Sequence, residues 1–94
     1  MTTLHIEHPI TDLQTWLGAF DKFTEARKSA GVVAQRIHQP ADDAHYIYVQ
    51  LDFEQAEQAE AFKGFLEGVI WASPDASPGL AGSPTARVLT AVQP

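Results

Sequence analysis

The chain opens on an alternation. In LHIEHPI, Leu4 and Ile6 fall on one face and His5 and Glu7 on the other, and this period of two, closed by Pro9, predicts a short half-buried strand. The spacing then changes to three and four. Leu13, Trp16, Leu17, Phe20 and Phe23 share one face of a helix that Thr11 and Gln14 can open as a capping box and Gly31 can close in the left-handed conformation. Arg27 and Lys28 fall in its last turn, against the negative end of the helix dipole. VVAQRIHQ, Val32 to Gln39, predicts a second strand, and PADDA from Pro40 to Ala44 supplies the turn into a third, HYIYVQLDF. In that third strand Ile47, Val49 and Leu51 alternate with Tyr46, Tyr48 and Gln50, so one face is aliphatic and the other amphipathic.

Asp52 with Gln55 predicts a second cap, followed by a helix through EQAEQAEAFKGFLEGVIWA whose inner stripe is Ala59, Phe62, Leu66 and Val69. Gly64 and Gly68 each cost about 1 kcal/mol against Ala, so a kink or break near them is expected. At about 100 degrees per residue Trp71 lies opposite that stripe, so either the helix bends or Trp71 faces something else. TARVLTAVQ, Thr85 to Gln93, reads as a closing strand. The order strand, helix, strand, strand, helix, strand, with right-handed crossovers, predicts an α+β fold. It is the ferredoxin-like split βαβ, a four-stranded antiparallel sheet with both helices on one face, in a single domain over residues 1–94.

Composition narrows the function classes. Hydrophobic residues are 45% and charged residues 19% of 94, ordinary for a folded protein of a size at which a partner subunit adds useful burial. The net charge of -6 comes without any Lys/Arg cluster, so neither nucleic acid nor a membrane surface is an expected partner. There is no Cys, which excludes disulfides and thiol chemistry. The start carries no basic region followed by an apolar one, and no run reaches the roughly 20 apolar residues of a membrane span, so a cytoplasmic location is expected.

Because helices cover one face only, Tyr46, Tyr48 and Leu89 on the other would form an exposed patch unless something covers it. TWLGAF, DDAHYIYVQLDF, AEAF and above all WASPDASPGLAGSPTARVL together resemble the dimeric α+β barrel superfamily, in particular its small bacterial members. The resemblance implies two ferredoxin-like protomers pressing their open sheet faces together into a barrel, a homodimer. It also implies enzymes that work without a cofactor, as the superfamily's monooxygenases, isomerases and cyclases do. Haem-degrading relatives use a Trp in the second helix with a His and an Asn, but no His follows Trp71 and the first strand has no Asn. The Pro- and Gly-rich run from Trp71 to Pro84 leads directly into a strand, so both its ends are fixed, and Leu80 can anchor it. It reads either as a shaped loop beside a cavity or as a plain crossing to the edge strand.

Alternation gathers the polar chemistry on the open face. His5, Glu7 and His38 are the candidate acids and bases, Arg36 and Arg87 the cations for a carboxylate or enolate, and Tyr46, Tyr48 and Gln50 the donors or stacking partners. Trp71 and Leu80 are further candidates for substrate contact. Trp71 can equally pack beneath Leu80 or against a partner subunit. No His pair has a standard metal-ligand spacing, although His38 and His45 flank the hairpin, and no metal or cofactor is expected. Two readings follow. One is a homodimeric, cofactor-independent enzyme acting on a small aromatic or oxygenated molecule in the barrel. The other is a non-catalytic homodimer in which these side chains satisfy one another, for example Glu7 with Arg36 or Arg87, and which binds a metabolite or serves a structural or regulatory role.

Overall fold

A computed structural model describes residues 1–94. Its elements are β1 (Thr2–Pro9), α1 (Leu13–Asp21), α2 (Thr24–Ala30), β2 (Val32–His38), β3 (Tyr46–Phe53), α3 (Ala56–Phe65), a π-helical segment Leu66–Ile70, and β4 (Thr85–Thr90). The strands form one antiparallel sheet in the order β2-β3-β1-β4, the ferredoxin-like arrangement with its helices on one face. Central strands β1 and β3 pair Leu4 with Leu51, Ile6 with Val49 and His8 with Ile47 on the helix side. On the other side His5 pairs with Gln50 and Glu7 with Tyr48. The core sits between Leu4, Ile6, Ile47, Val49, Leu51 and Phe53 of the sheet and Trp16, Ala59 and Phe62 of the helices. Truncating such a buried side chain to Ala costs about 2–5 kcal/mol. No helix is long and apolar enough to cross a membrane.

The first helix is not continuous. It stops at Asp21, and the Lys22 and Phe23 N–H groups bond back to Ala19 and Phe20 in tighter turns before α2 begins. Nor does Thr11 cap it. The Thr11 N–H is taken by the Gly79 carbonyl, and Asp12 caps instead, accepting from the Thr15 N–H at 2.9 Å and the Thr15 hydroxyl at 2.8 Å. Gly31 ends α2 with φ 100°, as its position predicts. The second capping box also lies further along than expected, between Gln55 and Gln58, because Asp52 remains in β3 with its carboxylate engaged by Arg36 and Thr3.

The break expected near Gly68 takes the form of a widened turn. The Trp71 N–H reaches the Leu66 carbonyl at 2.8 Å, a span of five residues. The extra residue moves Val69 off the predicted inner stripe to 52% exposure and brings Ile70 into the core. It also swings Trp71, half-buried, back against the sheet, so Trp71 does not lie opposite the stripe as straight helical geometry implied.

The Pro- and Gly-rich run is a shaped loop. Leu80 pairs with Ile10 in an isolated bridge, the Ala81 N–H bonds to Pro9, and Gly79 lies across the start of α1. Gly79 has φ 88°, and a Cβ there would stand 2.9 Å from the Trp16 nitrogen, so only glycine fits. Gly79→Ala is expected to destabilise the fold by about 1–3 kcal/mol. Gly18→Ala, in open space on α1, should instead stabilise it by about 0.5–1 kcal/mol. Urea unfolding of both variants checks this, and an unchanged midpoint for Gly79→Ala would show that the loop does not press on α1.

Candidate functional site

The sheet separates two sets of polar side chains. On the open face they form one hydrogen-bonded chain across three strands. Arg36 donates through both terminal nitrogens to Asp52, each at 2.9 Å, and through Nε to the side-chain Oε1 of Gln50 at 3.1 Å. The Gln50 amide meets His5 Nδ1 at 3.2 Å, His5 Nε2 meets Glu7 at 2.8 Å, and the Tyr46 hydroxyl donates to the other Glu7 oxygen at 2.9 Å. A His5 tautomer with its proton on Nε2 satisfies every link in that direction. Glu7 therefore pairs with His5 and Tyr46 rather than with Arg36 or Arg87, because Arg36 is held by Asp52 one register step away.

The charges respond accordingly. The Arg36 guanidinium holds Asp52 down at about 2, and Asp52 in turn raises Arg36. Hydrogen bonds from His5 and then Tyr46 lower Glu7, and the same Glu7 contact raises Tyr46. Tyr48 packs on this face against His5 and Tyr46, with ring centroids 6.0 and 5.4 Å away. His38 and Arg87 lie on the same face by register, opposite Tyr48 and His5, but neither joins the chain of bonds. His45 Nδ1 meets the Thr11 carbonyl at 3.0 Å, and no hydrogen bond joins His45 to His38.

A partly open cavity is on the other face. A cavity of about 80 Å³ lies between β1, β3, the three helices and the 73–84 loop. Apolar side chains make most of its wall, among them Trp16, Phe20, Phe65 and Leu66. Of the residues expected to contact a substrate, Trp71 and Leu80 line it, whereas His5, Glu7, Arg36, His38, Tyr46, Tyr48, Gln50 and Arg87 do not. The strand alternation that assembles those eight also places them behind the sheet from the loop.

His8 belongs to this cavity. It follows Leu4 and Ile6 in the inward row of β1, is 3% exposed, and lies between the two indoles, 6.3 Å from Trp16 and 6.5 Å from Trp71 between ring centroids. His8 Nδ1 is 2.9 Å from the Pro9 carbonyl, to which it can only donate, while Nε2 has no hydrogen-bond partner in the chain. The neutral ring thus presents a lone pair to the cavity. Burial pushes its pKa below 6.5, against a smaller opposing pull from the Pro9 carbonyl. The sequence carried the signal, an imidazole in an otherwise apolar row, but the open face drew the chemistry.

No protein-family model and no curated protein matches the sequence. Solved structures do. An antibiotic biosynthesis monooxygenase superposes with a TM-score of 0.68 at 10% identity, over 99% of this chain and 100% of its own. A dimeric ferredoxin-like protein from an uncultured marine organism gives 0.67 at 11%, over 100% and 97%. A monooxygenase from the gene ActVA-Orf6 of Streptomyces coelicolor, in complex with nanaomycin D, gives 0.63 at 17%, over 99% and 91%. This chain has their fold.

Because the folded His8 binds its proton more weakly than the unfolded one, the unfolded chain takes up a proton first as pH falls. The contribution is therefore complete above 6.5 and is lost below it. Asp52 and Glu7, lowered from 3.8 and 4.5, act at more acid pH. Between pH 7.5 and 5 the wild type should lose stability more steeply than His8→Gln in urea unfolding. Equal slopes would mean that His8 is not held neutral.

Proposed function

We propose that the protein is a homodimer that binds a small planar aromatic molecule in the cavity between sheet and helices. There it acts as a cofactor-independent enzyme of the monooxygenase type, with His8 as the proton acceptor. The observation that carries this reading is the contrast between the two imidazoles. His5 has both nitrogens engaged within the open-face chain, whereas His8 offers a free Nε2 to an apolar, aromatic-walled space. The fold neighbours add support, since two are monooxygenases and one of these holds nanaomycin D.

The chemistry suits that environment. A phenolic O–H placed at Nε2 hydrogen-bonds to the His8 lone pair and passes its proton there as molecular oxygen takes electrons from the ring, so that no free phenolate has to build up in the apolar cavity. One oxygen atom ends in a quinone product and the other in water, the substrate supplying the electrons. Dry walls keep the proton and the intermediate from bulk water. The cavity is smaller than the about 150 Å³ of an engineered apolar cavity that takes benzene, so the 73–84 loop must yield when a ring enters. His8→Gln is the decisive variant. It should keep ligand binding, read as a rise in melting temperature with hydroxylated aromatics, and lose at least about a hundredfold in turnover. Unchanged turnover would remove His8 from the chemistry.

The open face is assigned to the partner subunit. Tyr46, Tyr48 and Leu89, the last 39% exposed, flank the satisfied polar chain, and a second copy would bury the same surface by twofold symmetry. Tyr48→Asp would then bury an unpaired charge, a cost of about 3–5 kcal/mol that weakens dimerisation by more than about a hundredfold. Sedimentation reads this directly, and an undisturbed dimer would show that this face is not the interface.

A further inference from the structure

The cavity holds a second polar residue. Trp16, Phe20, Phe23 and Arg27 follow one another at helical spacing along the inner stripe of α1 and α2, which carries the guanidinium to the wall of the cavity at 6% exposure. Trp16 stacks on Phe20 with centroids 4.9 Å apart, and the Arg27 guanidinium lies 3.6 Å over the Phe20 ring. His8, Trp16, Phe20 and Arg27 thus form a continuous wall with an imidazole at one end and a cation at the other.

Every partner of that cation is neutral. Nη1 donates to the Phe20 carbonyl at 2.7 Å, Nε to Gln35 Oε1 at 3.2 Å, and Nη2 to Thr24 Oγ1 at 3.3 Å. The Phe20 bond caps the break between α1 and α2 and accounts for one N–H, not for the charge. The ion pairs of the chain join Arg36 to Asp52, Lys63 to Glu67 and His5 to Glu7, and none includes Arg27. Asp21 acts on it only as a more distant charge. A buried cation without a counter-ion is costly, and N–H groups are left over after its three bonds.

We infer that the occupant of the cavity is an aromatic carboxylate whose anionic group pairs with Arg27 while its ring lies along Trp16 and Phe20. This rests on the cavity reading above and narrows it to one charge class. A hydroxyl at the opposite end of such a ligand falls toward His8, so the two polar residues set its direction of entry. The carboxylate supplies the missing counter-ion in the fork geometry that a guanidinium prefers. The net charge of -6 repels anions on average, so a preference for the anion isolates the local cation.

The test compares shape-matched probes, benzoate against benzamide and 2-naphthoate against 2-naphthamide, by NMR titration at pH 7.5 of wild type, Arg27→Gln and Arg27→Lys. In the wild type each carboxylate should bind at least about tenfold tighter than its amide. Arg27→Gln should abolish that preference and Arg27→Lys should keep part of it. Equal binding of acid and amide in the wild type overturns the inference and leaves the cavity reading intact; binding of neither overturns both. A preference that survives in both variants places the cation elsewhere and also overturns it. Should Arg27→Gln fail to fold, the wild-type Arg27 Nε–H resonance decides instead: a shift with benzoate that benzamide does not produce supports the inference, and an unmoved resonance overturns it.

Discussion

The register between β1 and β3 governs the molecule. Opposite Leu51, Val49 and Ile47 stand Leu4, Ile6 and His8, and a slip of one residue would send that row to the open face and bring His5 and Glu7 into the core. Apolar burial therefore fixes two chemical facts together. It places a single imidazole under the helices, and it leaves a polar row outside that must satisfy itself. The Arg36–Gln50–His5–Glu7–Tyr46 chain is the consequence on one side, and the cavity with His8 is the consequence on the other.

The cavity in turn depends on two departures from ideal helix geometry. The π-helical segment Leu66–Ile70 turns Trp71 inward, and the break after Asp21 leaves the Phe20 carbonyl, already bonded to the Phe23 N–H, open to a second bond from Arg27. Gly79 closes the space by letting the loop backbone rest on α1 where a side chain could not stand. Irregular turns of this kind often mark functional sites, and here they shape one cavity.

Much of this was legible in the sequence. The four strands, their order, the one-sided helix cover and the division of faces all follow from periods of two and of three to four, whereas the loop's fixed ends left a shaped loop and a plain crossing both open. Of the two alternatives for Trp71 the bent helix holds, with the break where Gly64 and Gly68 led one to expect it, but the pattern did not show that the break is a widened turn, and that turn removed Val69 from the core. Asp52 and Thr11 looked like caps because short polar side chains suit that role, but Arg36 and the Gly79 carbonyl had prior claims that only tertiary contact discloses. His8 and Arg27 were readable from spacing, one in the row of Leu4 and Ile6, the other in the stripe of Trp16 and Phe20. The abundance of polar groups on the open face obscured both.

On the proposed reading, ligand chemistry belongs to the helix-covered face and not to the open face. Titrating the protein with phenol while following its imidazole and indole NMR resonances tests this most directly. His8, Trp16 and Trp71 should shift, and His5 and Tyr48 should stay in place. Shifts confined to His5 and Tyr48, with His8 unmoved, would contradict it.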